Sequence, residues 1–156
     1  MSGQLWLLRH GEAEPHGSQP DVDRELTAKG RRQSVAAGRA LARLGLDFDA
    51  VYTSPRVRAL DTAALACAEL GVDLTVHAPL GTGFQRSEAV ALLDDLNGDG
   101  RLLLVGHEPD FSQLAYDFTG GRIDLKKGGI AAMRAAPGEL LVVLRPREIE
   151  LLAAAR

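Results

Sequence analysis

The chain has a single cysteine and few aromatic residues, 4% of 156. Cys67 alone can form no internal disulfide and no cysteine-cluster metal site, so packing must hold the fold and a reducing cytoplasm is the expected compartment. The shortage of aromatics calls for an aliphatic, alanine-rich core. Positive charge is not in excess either: 18 Lys and Arg face 21 Asp and Glu, a net charge of -3, which argues against a strongly basic nucleic-acid binder. Long apolar runs are missing. The first ten residues hold only Leu5 to Leu8 before Arg9 interrupts, too short for a signal-peptide core, and nowhere do the roughly 20 apolar residues of a membrane helix occur. A soluble protein with no membrane partner is expected. No repeat, linker or low-complexity segment divides the chain, and its length fits one domain over residues 1–156.

Several chemistries lack their motifs. Gly81-Thr82-Gly83 has no third glycine for a dinucleotide fingerprint, and neither Gly-Lys-Ser/Thr nor Gly-x-Ser-x-Gly occurs. No His and carboxylate spacing suits a two-metal or His-Glu-x-x-His centre. Position 73, six residues after Cys67, is Asp rather than Arg, so the cysteine-phosphatase loop is absent. No cofactor and no required metal are expected.

What is present is an alternation of short β-type runs with longer helical patterns, the signature of a layered α/β domain. Strands are predicted at Gln4–Leu8, Ala50–Thr53, Asp73–His77 and Arg101–Val105, with a closing hairpin of Ile130–Arg134 and Leu140–Arg145 around Pro137-Gly138. Leu26–Gly45 is predicted helical, because Val35, Gly38, Leu41, Ala42 and Gly45 repeat with the helical period while Arg31, Arg32 and Arg43 fall outside. A second helix is expected to run to Leu70, with Ser54 as its N-cap and Pro55 at its first position. Further helices are expected near Ser87–Leu96 and Glu148–Ala155.

The chemically loaded residues follow three of these strands. Arg9-His10-Gly11 comes after the first, Ser54 to Thr62 with Arg56 and Arg58 after the second, and Gly106-His107-Glu108-Pro109 after the fourth. In an α/β sheet, ligands bind beyond the carboxyl ends of the strands, so two arginines and two histidines can share one pocket. Arg9 and Arg58 offer planar forks suited to phosphate oxygens. Fixed positive charge around a histidine disfavours its imidazolium form and leaves a neutral ring nitrogen able to attack phosphorus. His10 is the candidate nucleophile; His107 would hold the equatorial phosphoryl oxygens. His16 and His77 lack this shared context and stay outside the set, although His16 could line the entrance, and Arg56 reads as a solvated helix residue.

Arg-His-Gly after the first strand, Ser-x-x-x-Arg-Ala-x-x-Thr-Ala after the second and a late Gly-His resemble the histidine phosphatase superfamily. The resemblance implies a phosphoglycerate mutase-like, three-layer α/β/α sandwich with a mixed, mostly parallel sheet. It makes His10 the phosphorylated nucleophile and Arg9, Arg58 and His107, with Gly11, the phosphate-binding residues. The compact length, Asp23-Arg24-Glu25-Leu26-Thr27 with Gly30, and Lys127-Gly128-Gly129-Ile130 resemble the SixA branch. That branch implies a metal-independent phosphohistidine phosphatase acting on a phosphorylated histidine-containing protein. The alternatives are a small-molecule phosphomonoesterase of the same superfamily and a phosphate-binding module with weak turnover.

One departure bears on the substrate. Where the mutase branch carries an acidic proton donor after its third strand, His77 to Ser87 holds no carboxylate. An imidazole leaving group, with an unperturbed pKa of about 6.5, needs a donated proton far less than an alkoxide. Glu12, Glu14 and Glu88 are the carboxylates that sequence proximity offers as substitutes.

Overall fold

A computed structural model describes residues 3–96 and 99–155. Six strands form one sheet: β1 (Gln4–Arg9), β2 (Ala50–Thr53), β3 (Thr75–Val76), β4 (Arg101–Gly106), β5 (Ile130–Arg134) and β6 (Glu139–Leu144), in the order β3-β2-β4-β1-β5-β6. The four strands from β3 to β1 are parallel, and the β5-β6 hairpin adds antiparallel to β1. The sheet is mixed and mostly parallel, as the resemblance implies.

Helices cover both faces. On one, Leu5, Leu7, Leu102 and Leu104 pack against Leu92, Leu93, Phe111, Leu114 and Phe118 of α3 (Arg86–Asp94) and α4 (Asp110–Thr119). On the other, Trp6, Leu8, Leu103 and Val105 meet α1 (Ala28–Arg43), α2 (Val57–Leu70) and α5 (Pro146–Ala154) through residues such as Ala37, Leu41, Ala63 and Ile149. Burial on both faces explains why β1 and β4 read as unbroken apolar runs rather than as an alternation. The small side chains of α1 and α2 let these helices approach closely: a Cβ on Gly38 would stand 2.5 Å from the Ala66 carbonyl oxygen.

Four details differ from the sequence expectation. The helix α4 is absent from that expectation, although Phe111, Leu114, Ala115 and Phe118 are buried at helical spacing. β3 keeps only two of the five expected residues, its exposed side chains giving a longer strand nothing to pack against. Ala42 and Gly45, at the end of the α1 pattern, face solvent. Ser54 does not cap α2: that helix starts at Val57 after Arg56, with no side-chain cap, and the Ser54 hydroxyl is used elsewhere. No helix among the described residues is long and apolar enough to cross a membrane.

Register brings the motif-bearing loops together. Leu8 and Thr53 both pair with Val105, and Arg9 pairs with Gly106, so β1, β4 and β2 end side by side. His10, Ser54 and His107 follow immediately. They are separated by tens of residues in sequence, yet His107 stands one strand spacing from each of the other two.

Candidate active site

A cavity of about 150 Å³ lies over these strand ends, lined by Arg9, His10, Arg24, Arg58, His107 and Glu108, with His16 and Lys127. A second, of about 110 Å³, adjoins it and shares Arg58, His107 and Glu108. Larger clefts exist, such as one of about 490 Å³ between α1 and α5 that holds Arg31, Arg32, Arg39 and Glu150, but none of them is lined by a histidine. Four of the five residues singled out from sequence, Arg9, His10, Arg58 and His107, therefore share one cavity.

His10 is buried, 6% exposed, and its Nδ1 stands 2.7 Å from the Gly11 carbonyl oxygen. A carbonyl only accepts, so the proton sits on Nδ1 and the lone pair is on Nε2. The His10 pKa is lowered to about 4, by burial first; the Gly11 hydrogen bond opposes the shift, and Arg58, Arg9 and Lys127 reinforce it. The neutral ring expected from sequence is present, but loss of water contributes more to it than the surrounding charge does.

The loop carrying His10 is fastened from three sides. The Gly11 N–H donates to Thr62 Oγ1 at 3.1 Å, and Thr62 in turn donates to the Arg58 carbonyl at 2.7 Å. Gln33 Oε1 accepts from the Glu12 N–H at 2.9 Å. The Gly128 N–H reaches the His10 carbonyl at 2.9 Å, in a loop whose positive φ of 78° suits glycine. Gly11 thus has its amide and its carbonyl engaged within the protein and does not line the cavity, so it orients His10 rather than offering a donor to a ligand. Thr62 and Gly128 stand in the motifs quoted from sequence, where only their identity, and not this fastening, was legible.

His107 is 8% exposed, and its ring centroid lies 5.2 Å from that of His10. Its Nε2 is 2.7 Å from Ser54 Oγ. Its pKa is lowered to about 3 by burial, helped by His10, Arg58 and Arg56. Arg9 donates from Nη1 to the Leu125 carbonyl at 2.9 Å, and Arg58 donates from Nη1 to the Asp21 carbonyl at 2.7 Å. Three buried side-chain nitrogens among the described residues have no partner: Arg9 Nε, Arg58 Nε and His107 Nδ1. Buried polar atoms are nearly always paired, and three orphans on residues lining one small cavity mark a place where a ligand supplies the acceptors.

Four residues of the cavity were not singled out from sequence: His16, which was left outside the set, Lys127, Arg24 and Glu108. Arg24, 6% exposed, donates to the Glu14 carbonyl at 2.8 Å and pairs with Asp21 at 2.9 Å. Glu108 receives the Ser112 N–H at 2.7 Å and the Ser112 hydroxyl, so it caps the first turn of α4 while lining the cavity. Arg56 is not simply solvated: it is half-buried and paired with the Asp21 carboxylate, which also meets Arg24 and Arg58. The Asp21 carboxyl is pushed below its ordinary range; burial works against the shift, and the Arg24 hydrogen bond and the charges of Arg58, Arg24 and Arg56 outweigh it.

The three carboxylates offered from sequence as proton donors are all occupied outside the cavity. Glu12 accepts from Thr27 Oγ1 at 2.7 Å, Glu14 from Gln19 and the Glu25 N–H, and Glu88 closes the capping box of α3 by accepting from the Gln85 N–H at 2.7 Å. His77 packs between Tyr52 and Phe84, a core-edge position away from the cavity. Among the described residues no cluster of three or more His, Cys, Asp or Glu side chains is placed to hold a metal ion.

Known proteins resemble this chain in sequence and in fold. An uncharacterized protein of Picosynechococcus sp. (strain PCC 7002) is 35% identical over 145 residues, 88% of either chain. A 2,3-bisphosphoglycerate-dependent phosphoglycerate mutase of Rhizobium etli is 39% identical over 74 residues, 46% of this chain but 35% of the mutase. Among solved structures, the protein histidine phosphatase SixA complexed with tungstate shares the fold at a TM-score of 0.80 and 22% identity, over 94% of this chain and 99% of that one. A phosphoserine phosphatase of Entamoeba histolytica shares it at 0.70 and 18% identity, over 93% and 98%. The family model of the histidine phosphatase superfamily (branch 1) matches residues 5–81, the span that contributes Arg9, His10, Arg24 and Arg58 to the cavity. With His107 completing the set from β4, this chain belongs to the histidine phosphatase superfamily.

Proposed function

We propose that the chain is a metal-independent phosphohistidine phosphatase, acting on a phosphorylated histidine-containing protein in the cytoplasm. The observation that carries the reading is the trio of unpartnered buried nitrogens, Arg9 Nε, Arg58 Nε and His107 Nδ1, beside a histidine with a free Nε2 lone pair. A phosphoryl group supplies the missing acceptors, and its charge is spread over the oxygens that these nitrogens meet.

In the first step His10 Nε2 forms a bond to phosphorus while the bond from phosphorus to the substrate imidazole breaks; the departing nitrogen takes a proton from water. In the second, water attacks the phospho-His10 and its proton leaves to solvent, so inorganic phosphate departs and the His10 lone pair is regenerated. Burial keeps His10 neutral, so no base has to deprotonate it first. The Nδ1–H bond to Gly11 holds the ring in the one tautomer that can attack through Nε2. Lack of a carboxylate in the His77 to Ser87 stretch suits a leaving group that needs little protonation. The fold shared with tungstate-bound SixA supports the same reading, tungstate being a tetrahedral oxyanion.

Glu108 favours a second reading. It is a carboxylate lining both the main cavity and its neighbour, where it could hand a proton to an alkoxide, as a small-molecule phosphomonoesterase requires. Its two bonds from Ser112 place it second, because both carboxyl oxygens already accept within the protein.

The test is brief incubation with a phosphohistidine protein, p-nitrophenyl phosphate and a sugar phosphate, followed by an acid-free quench. Label on His10, turnover insensitive to chelators and inhibition by vanadate are expected. Labelling that persists in His10→Ala overturns the assignment of the nucleophile. Binding of phosphate with no turnover of any of the three leaves a binding module.

A further inference from the structure

Ser54 is fully buried, and its hydroxyl oxygen has two neighbours: the Arg56 amide nitrogen at 3.2 Å and His107 Nε2 at 2.7 Å. An amide N–H can only donate, so the Ser54 oxygen accepts from Arg56. The hydroxyl proton then has one acceptor in reach among the described residues, the Nε2 lone pair of His107. The opposite arrangement, with a proton on Nε2 donated to Ser54, strands a buried hydroxyl proton without an acceptor, which a buried polar group rarely tolerates.

We infer that Ser54 is a positioning residue that fixes His107 as the Nδ1–H tautomer, turning a ring nitrogen toward the cavity as a donor. The Nδ1 atom is one of the three unpartnered nitrogens. His10 and His107 thus carry their protons on the same ring atom yet present opposite edges: His10 offers the bare Nε2, a nucleophile, and His107 offers Nδ1–H, a donor. Had His107 been free to take the other tautomer, it would aim a lone pair at phosphoryl oxygens and repel them. The phosphoryl part of this inference rests on the function proposed above; the tautomer does not.

The experiment reads the tautomer directly. The chain has four histidines, so ring-nitrogen NMR of ¹⁵N-labelled protein at neutral pH resolves His107. Wild-type protein is expected to show His107 protonated at Nδ1 with Nε2 bare. Ser54→Ala is expected to move the proton to Nε2 and to lower kcat roughly ten- to hundredfold, with KM changed much less. Ser54→Thr, which keeps the hydroxyl, is expected to restore both. A wild-type His107 protonated at Nε2 overturns the inference whatever the variants do, as do unchanged ring signals in folded Ser54→Ala. If the ring signals behave as stated but no phosphorylated compound is turned over, the tautomer assignment stands and the phosphatase reading falls.

Discussion

Gly11 and Gly30 touch backbone to backbone: a Cβ on Gly11 would lie 2.5 Å from the Gly30 carbonyl oxygen, and one on Gly30 would lie 2.0 Å from the Glu12 carbonyl oxygen. The first turn of α1 is thereby pressed against the loop that carries His10. Neither neighbour is a side chain able to swing away. Gly30→Ala is expected to cost about 3 kcal/mol of stability and to lower activity by displacing His10. Thermal unfolding and phosphatase assays on the same preparation check it; an unchanged melting temperature contradicts the close crossing.

Arg58 and Arg56 both meet Asp21, but of the two only Arg58 also has a buried nitrogen without a partner. Arg58→Ala removes a charge-assisted donor and is expected to cost about 3–4 kcal/mol of transition-state stabilisation. Arg56→Ala leaves Asp21 held by Arg24 and Arg58 and is expected to change kcat/KM less than about tenfold. Equal losses at the two positions would show that Asp21, rather than the free nitrogen, accounts for the importance of Arg58.

The parallel core of the sheet and the loops after β1, β2 and β4 were legible because buried parallel strands are written as continuous apolar runs and because His, Arg and Ser stand directly after them. Arg24 and Glu108 were not singled out, for a physical reason. Arg24 reaches the cavity only because Asp21 and the Glu14 carbonyl hold it there, and Glu108 only because α4 begins at Asp110. Both are consequences of tertiary contacts with no local signature. α4 itself had one, the spacing of Phe111, Leu114, Ala115 and Phe118, which a count of helical periodicity would have found. Ser54-Pro55 carried the ordinary composition of a helix start, and the competing claim of His107 on the hydroxyl appears only in three dimensions.

Acid should affect activity and stability through different windows. The kcat/KM profile for a substrate of constant ionisation is expected to lose its acid limb near pH 4, the His10 value, instead of near 6.5. Stability changes earlier. With folded values of about 4 for His10 and about 3 for His107, the unfolded chain takes up protons first as pH falls below about 6.5. The contribution is therefore complete above that pH and is lost on acidification, by roughly 2 kcal/mol for each ring at pH 5 relative to pH 7.5. Urea unfolding at the two pH values measures the difference; equal stabilities would contradict the two depressed values.

Leaving-group chemistry separates the two enzymatic readings. Without a positioned acid, rates are expected to depend steeply on leaving-group pKa, with phosphohistidine and aryl phosphates cleaved far faster than alkyl or sugar phosphates. Glu12→Gln, Glu14→Gln and Glu88→Gln, all outside the cavity, are expected to leave phosphohistidine turnover intact. A sugar phosphate cleaved as fast as phosphohistidine, with Glu108→Gln selectively removing that activity, would identify Glu108 as the acid and put the phosphomonoesterase first.

The strand order β3-β2-β4-β1-β5-β6 also sets when the site can exist. β1 and β2, which lead into His10 and Arg58, do not touch each other; β4 lies between them and pairs with both. His10, Arg9 and Arg58 therefore precede in the chain the strand that brings them together, and until it arrives β1 and β2 keep unpaired edges. Insertion of β4 joins the two halves of the parallel sheet and brings His107 beside His10 in the same event. Assembly of the cavity and of the parallel core of the sheet are thus one step, which the segment before β5 completes by holding His10 through the Gly128 N–H and Arg9 through the Leu125 carbonyl.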